Sequence, residues 1–341
     1  MAGGVEWRPD GSVVLRPLEE LRLAMLDLAT MRRVRDRMVG EVGEEAAFER
    51  EKEATRFHAA RFLLPLEGKP SRYGLAKRQA LEALEDYALL LGMGRIELER
   101  LTPGESGSLL LIKPFDLRLV SAGVAGLMQE LDGFPYESRL SGLGGDAFRL
   151  VLERAGGGRD AWEPPEGLRI PPPGEGEAAG LEGCPLCGLP TRLGAFDWNE
   201  LYGTVEAGPG GRRVALLPAF FLEVMDRPAR GKGPGHGGLV EEAAYAATRS
   251  SLEGGGGDAY ESAPGARGGA TGVDWGALLL RGWGVAADAR TGAGGWKVTV
   301  LNPVHIPLIA GWLRALYTFA MGREPRLRVD GETSRARFAL D

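Results

Sequence analysis

The most chemically distinctive segment of the sequence is Cys184-Pro-Leu-Cys187-Gly188, which contains both cysteines of the 341-residue chain. Two thiolates at this spacing can point at one ion and form half of a zinc knuckle. A closed structural site needs four ligands, so a symmetric dimer would have to supply a second pair, or His236 could contribute. The same spacing also suits a redox pair or a turn that holds no metal. We therefore predict a metal site at Cys184 and Cys187, with zinc as the only cofactor, and keep both alternatives open.

His305 is a candidate for contact with a ligand. It lies two residues after Pro303, and Asp116 occupies the matching place after Pro114. A polar group at the mouth of a pocket can orient a ligand or donate a proton. The alternative is a hydrogen-bonded loop residue. His58 lies on a predicted helix among Phe57 and Phe62 and is predicted to be a structural histidine.

Composition and missing motifs narrow the class of protein. The sequence has no phosphate loop, nucleophile elbow, HExxH zinc motif or dinucleotide fingerprint, which favours binding over catalysis. A net charge of −6 argues against direct binding of nucleic acid. Two cysteines fit a reducing compartment, and neither a signal peptide nor an apolar run of membrane-spanning length is recognisable. We expect a cytoplasmic protein without a membrane span.

The strongest pattern is an internal repeat. Trp7 and Trp198 stand in similar contexts, and Leu109–Pro114 is answered by Val298–Pro303 at nearly the same interval along the chain. Turn, strand and helix signals keep the same order in both copies, which indicates a duplication. Two generic segments that merely look alike are the alternative.

We predict three regions along the chain: a first domain at 1–155, a Pro/Gly-rich linker with the cysteine pair at 156–195, and a second domain at 196–341. Residues 156–272 hold 27 of the 53 glycines, in tracts that cannot bury enough apolar surface to order themselves. Apolar periodicity predicts an α+β fold in which each domain is an antiparallel sheet covered on one face by helices. The second copy, interrupted by glycine loops and Pro228, is expected to be the degenerate one.

A cavity between sheet and helices is the natural place for an apolar ligand. The candidate lining residues of the first copy are Leu109, Leu111, Phe115, Val124, Leu127 and Met128. Those of the second copy are Val298, Val300, Trp312, Leu316 and Phe319, with His305 at the mouth, and Trp283 is a further aromatic candidate. A plain packed core is the alternative for each of them.

Several segments together resemble the 4-vinyl reductase-type, hydrocarbon-binding domain. They include Leu23-Ala-Met-Leu26, Gly43-Glu-Glu-Ala-Ala47, the strand that ends at Pro114, and Leu143-Gly-Gly-Asp146-Ala-Phe148. The resemblance covers about 1–155 and, more weakly, 196–341. It implies a tandem of ligand-binding modules of a usually dimeric kind. Many members carry cysteines before and within the last strand, in a Cys…Gly-Asp-x-x-Cys-like pattern that can hold zinc. Gly145-Asp146 is present here, but Arg149 stands where the second cysteine is expected and the end of the second copy also lacks cysteine, so we expect this site to be missing from both copies.

From these observations we expect non-catalytic binding or sensing of a hydrophobic small molecule, whether aromatic, hydrocarbon or lipid-like. An alternative is a structural or adaptor protein that uses the same fold for pairing, as a homodimer or with a separate protein. A third is a tetrapyrrole-related reductase, which the family name suggests and which no set of residues supports.

Overall fold

The computed structural model describes residues 4–16, 21–60, 74–158, 182–185, 189–208, 211–230, 238–254, 273–292, 294–332 and 334–341. The first repeat contains seven strands and four helices. In chain order these are β1 (Val5–Trp7), β2 (Val13–Leu15), β3 (Arg22–Asp27), α1 (Leu28–Val42), α2 (Glu44–His58), α3 (Gly74–Leu91), β4 (Arg95–Thr102), β5 (Ser106–Ile112), α4 (Leu117–Asp132), β6 (Tyr136–Gly144) and β7 (Ala147–Arg154).

The second repeat has the same order of elements, after a short 3-10 turn at Thr191–Ala195. They are β8 (Phe196–Asn199), β9 (Thr204–Ala207), β10 (Arg212–Pro218), α5 (Ala219–Arg230), α6 (Leu239–Glu253), α7 (Gly276–Leu280), β11 (Val285–Gly292), β12 (Gly295–Leu301), α8 (Ile306–Met321), β13 (Leu327–Glu332) and β14 (Arg335–Leu340). Within the described residues, both repeats therefore read as three strands, three helices, two strands, one helix and two strands.

Backbone conformation matches between the repeats at unusual positions. Lys113 and Asn302 are the non-glycine residues with positive φ in the described ranges, at 46° and 50°. Each precedes a proline and the helix α4 or α8. Both helices end at a left-handed glycine, Gly133 or Gly322, with φ of 69°. The same interval along the sequence separates Lys113 from Asn302 and Gly133 from Gly322, so this interval defines equivalent positions in the two sheet-and-helix layers.

The strands form three antiparallel sheets, which confirms the predicted α+β class. One sheet has six strands in the order β1-β2-β3-β10-β9-β8, and the other two have four each, in the orders β4-β5-β7-β6 and β11-β12-β14-β13. Alternate residues of β5 and β12 are buried, as expected when helices cover one face of a sheet. Helices α3 and α4 cover the sheet of the first repeat.

Two compact units divide the chain without following the repeats. The larger unit holds Met1–Glu41, Arg169–Asp197 and Glu206–Asp341, and the smaller unit holds Val42–Leu168 and Trp198–Val205. The N-terminal strands of the first repeat thus belong with the sheet of the second repeat.

Buried polar contacts hold these N-terminal strands inside the larger unit. The Trp7 indole N–H donates to the carbonyl of Leu280 at 2.9 Å, and the Arg22 guanidinium donates to the backbone carbonyls of Gly282, at 3.4 Å, and Asn302. Burial lowers the pKa of Arg22 to about 10, and the nearby carboxylate of Asp10 offsets part of this shift. A buried guanidinium needs such acceptors because an unpaired charge in this environment is costly.

Two helices of the second repeat are shorter than their counterparts in the first. Helix α7 is five residues long, whereas α3 has eighteen. Helix α5 is shorter than α1, although it continues past Pro228 to Arg230. The tract 159–181 of the predicted linker lies outside the described residues. Helices long and apolar enough to cross a bilayer are absent from the described ranges.

Candidate functional site

The first-repeat candidates meet between sheet and helix. Leu109 and Leu111 on β5 and Val124, Leu127 and Met128 on α4 belong to one apolar cluster, and none is more than 1% exposed. The cluster also contains strand and helix residues that close its sides: Ala59, Leu81, Ala88, Ile96, Val120, Ala125, Tyr136, Leu150 and Leu152. Phe115 is equally buried and lies just before α4. Five of the six predicted residues are thus brought together in one cluster, and Phe115 is buried outside it.

Helix α4 is fixed over this layer at both ends. The Asp116 carboxylate accepts hydrogen bonds from the backbone N–H groups of Arg118, at 3.1 Å, and Leu119, at 3.0 Å. This is an N-cap, and it satisfies donors that have no partner within the helix. The left-handed Gly133 ends the helix.

A glycine interrupts the apolar side of β5. Gly107 occupies an inward, buried position in line with Leu109 and Leu111. A methyl group placed on it would lie 3.8 Å from Met128 Cε and 3.9 Å from Leu101 Cδ1, which is ordinary van der Waals contact. The nearest side-chain atoms are therefore the ends of two flexible side chains, and the position accepts added carbon without a clash.

The second-repeat candidates are also buried, with one exception. Val298, Val300, Trp312 and Leu316 are at most 2% exposed, but Phe319 is 43% exposed, so its assignment to the pocket is wrong. Phe319 lies in the last turn of α8, where the helix has passed the edge of the covered face.

Aromatic rings dominate the interior of the second repeat. Trp312 packs edge to face against Trp283 and Trp275, with centroids 6.2 and 6.3 Å away, and Trp296 packs against Tyr317 at 5.3 Å. The indole N–H groups of Trp296 and Trp312 have no hydrogen-bond acceptor within the described residues. These aromatic rings therefore pack against one another in the interior of the second repeat.

His305 caps a helix and does not line an open mouth. Its side chain is fully buried, and Nδ1 accepts a hydrogen bond from the backbone N–H of Leu308 at 3.3 Å. Its Nε2 lies 3.5 Å from the Oε1 atom of Glu223 on α5. Since Nδ1 acts as an acceptor, the ring proton belongs on Nε2, facing the carboxylate. His305 and Asp116 thus perform the same capping role in the two repeats.

His58 is a buried structural histidine, as predicted. Its ring lies 5.3 Å from that of Tyr87, and burial lowers its pKa to about 3. The His58 imidazole, which contacts Tyr87 of α3, is therefore neutral at ordinary pH.

Cys184 is held by backbone pairing with the segment at Leu189 and Pro190. Its backbone N–H donates to the carbonyl of Leu189 at 2.7 Å, and Gly183 is bridged to Pro190. Cys187 lies outside the described residues. Among those that are described, no three His, Cys, Asp or Glu side chains are grouped to hold a metal ion. The zinc site stays a prediction.

The sequence reasoning missed Gly107 and Trp296. They occupy equivalent inward positions on β5 and β12. Aligning the repeats at the interval from Lys113 to Asn302 places Gly107 opposite Trp296.

Comparison of the chain with protein-family models, curated proteins and solved structures gives no match.

Proposed function

We propose that this protein binds a neutral, apolar small molecule without converting it chemically. The binding place is the apolar layer between α4 and the sheet of the first repeat, lined by Leu109, Leu111, Val124, Leu127 and Met128. These side chains offer no charge and no hydrogen bond, so an aromatic, hydrocarbon or lipid-like compound is the suitable ligand class. The resemblance to hydrocarbon-binding domains points the same way.

The observation that supports this proposal most directly is the glycine at position 107, which points into the apolar layer. Glycine weakens the interior of a strand, and it is tolerated where something else must approach the backbone closely. The ends of Met128 and Leu101 lie over it, and methionine adapts its shape readily to different partners. A ligand that displaces these two flexible ends would rest on the backbone of β5.

Native mass spectrometry of the purified protein, followed by organic extraction, tests this function. The expected result is an adduct of one small molecule per chain that appears in the extract. Met128→Trp should remove the adduct by filling the space, whereas Tyr317→Trp, at the equivalent place in the second repeat, should retain it. A bare polypeptide mass, with neither an extractable compound nor binding of added apolar compounds, would contradict the proposal.

A structural or adaptor role is the second candidate, and the pairing of β3 with β10 favours it. This ladder joins the two repeats in one sheet, so their association is already built into the chain. In that case a homodimer or a stoichiometric protein partner should be found by size-exclusion chromatography and light scattering, with both interiors empty of ligand.

A further inference from the structure

The two repeats differ sharply in bulk at equivalent interior positions. Trp296 and Tyr317 of the second repeat correspond to Gly107 and Met128 of the first, at the same sequence interval that separates the caps of α4 from those of α8. The strand register supports this match, since Trp296 pairs with Leu340 and Gly107 pairs with Leu152. The same place between strand and helix therefore holds an indole and a phenol ring in one repeat, and a glycine and a methionine in the other.

We infer that the second repeat is closed by its own side chains and that only the first repeat binds a ligand. Trp296 and Tyr317 pack edge to face with centroids 5.3 Å apart, and both are fully buried. They occupy the space that a ligand takes up in the first repeat. One chain therefore binds one molecule, with Gly107 and Met128 setting the size of the site.

Two flexible side chains lie where the ring would begin in the first repeat. A Cβ on Gly107 would be 3.8 Å from Met128 Cε and 3.9 Å from Leu101 Cδ1, so a ligand has to displace these ends. Leu109 and Leu101 in the first repeat are only slightly larger than Val298 and Thr291, which flank Trp296 in the second. An aromatic side chain of this kind buries roughly 150–250 Å². Once the ends of Met128 and Leu101 are displaced, the ring that Gly107 lacks relative to Trp296 corresponds to a ligand about the size of an indole. The indole N–H of Trp296 has no acceptor within the described residues, so a ligand in the matching place needs no polar group.

This inference rests on the proposed function and can fail separately from it. Indole is the probe, because it is the side chain that Trp296→Gly removes. Thermal unfolding is measured with and without indole, and the number of bound indole molecules is counted by native mass spectrometry. A ligand that binds only the folded state raises the unfolding temperature.

For the wild-type chain we expect one bound indole and a rise of about 2–4 °C at ten times the dissociation constant. Trp296→Gly should unfold at a lower temperature than the wild type and bind two indoles. Its unfolding temperature should rise more than that of the wild type when indole is added. Gly107→Trp should bind none, whereas Gly107→Ala, which adds one carbon at a tolerated distance, should keep the site. If Gly107→Trp does not fold, Gly107→Leu provides the same test with a smaller side chain.

Two results overturn the inference. One is a Trp296→Gly variant that binds no more indole than the wild type, and the other is a Gly107→Trp variant that still binds. A wild-type chain that binds nothing while Trp296→Gly binds one molecule would support closure of the second repeat. It would show that Leu101 and Met128 close the first repeat too, and the proposed function would fail.

Discussion

Met25 lies directly opposite Leu216 in the antiparallel ladder between β3 and β10, and the register is symmetric about this pair. Ala24 faces Leu217, and Leu26 faces Ala215. Ala24 and Ala215 are equivalent in the two repeats, because the interval between them is the one that separates Trp7 from Trp198. The two strands are therefore related by an approximate two-fold axis through the pair of Met25 and Leu216. Such self-complementary pairing is typical of symmetric dimers, and here it is made within one chain.

Met25 and Leu216 should be energetically coupled, since both are buried and they face each other. Each substitution by alanine should lower the free energy of unfolding by about 2–5 kcal/mol. The loss of unfolding free energy in the double variant should differ from the sum of the two single losses by about 0.5–3 kcal/mol. Urea denaturation measures all three, with Leu201→Ala as the control, because Leu201 is 59% exposed. Strictly additive losses would argue against contact at this pair.

Gly11 should be irreplaceable at the turn between β1 and β2. Its φ is +80°, and a Cβ there would lie 2.5 Å from the carbonyl carbon of Gly284. Gly104 has a similar φ of +76° with no atom within 4 Å, so Gly104→Ala should cost only about 1–2 kcal/mol. Gly11→Ala should cost about 1–3 kcal/mol more, because the backbone must shift. Equal losses in chemical denaturation would mean that the close approach is unimportant.

His58 should make the protein less stable in acid. Its pKa is about 3 in the folded chain, whereas an unfolded histidine takes up a proton near pH 6.5. The unfolded state therefore binds more protons between these values, and stability falls as the pH drops through this window. The slope from one such histidine is at most about 1.4 kcal/mol per pH unit. Denaturation of wild type and His58→Phe at pH 7 and pH 5 should give a smaller pH dependence for the variant. Parallel losses would exclude this role.

The cap made by His305 should be replaceable by asparagine. His305→Ala removes the acceptor for the Leu308 N–H and should cost about 0.5–2 kcal/mol. His305→Asn keeps an acceptor and should recover part of that loss. His305→Asp should recover less, because its carboxylate would lie near Glu223. Thermal unfolding of the three variants at one pH distinguishes capping from simple loss of packing, which would affect asparagine and alanine alike.

Much of this fold could be predicted because the periodic signals are local. The strand predicted to end at Pro114 is β5, which ends at Ile112. The predicted apolar lining of the first repeat also comes together, since inward alternation on β5 and a helical stripe on α4 must face each other.

The grouping of β1 to β3 with the second repeat could not be predicted. It depends on non-local contacts such as those of Arg22 with the backbone at Gly282 and Asn302, and no periodicity encodes them. The bulk difference between Gly107 and Trp296 was visible in the sequence, but its meaning depends on which strand positions point inward. The exposure of Phe319 could not be predicted, because helical spacing alone does not indicate where the covered face of α8 ends.

The most direct test follows the methionine methyl groups by NMR while indole is added to the wild-type chain. Met128 lies in the proposed binding layer, whereas Met25 lies in the β3–β10 ladder of the larger unit. Saturating indole should shift the Met128 methyl signal, identified by its loss in Met128→Leu, and leave Met25 unchanged. A Met128 signal that does not move, or a shift confined to methionines of the larger unit, would contradict ligand binding in the first repeat.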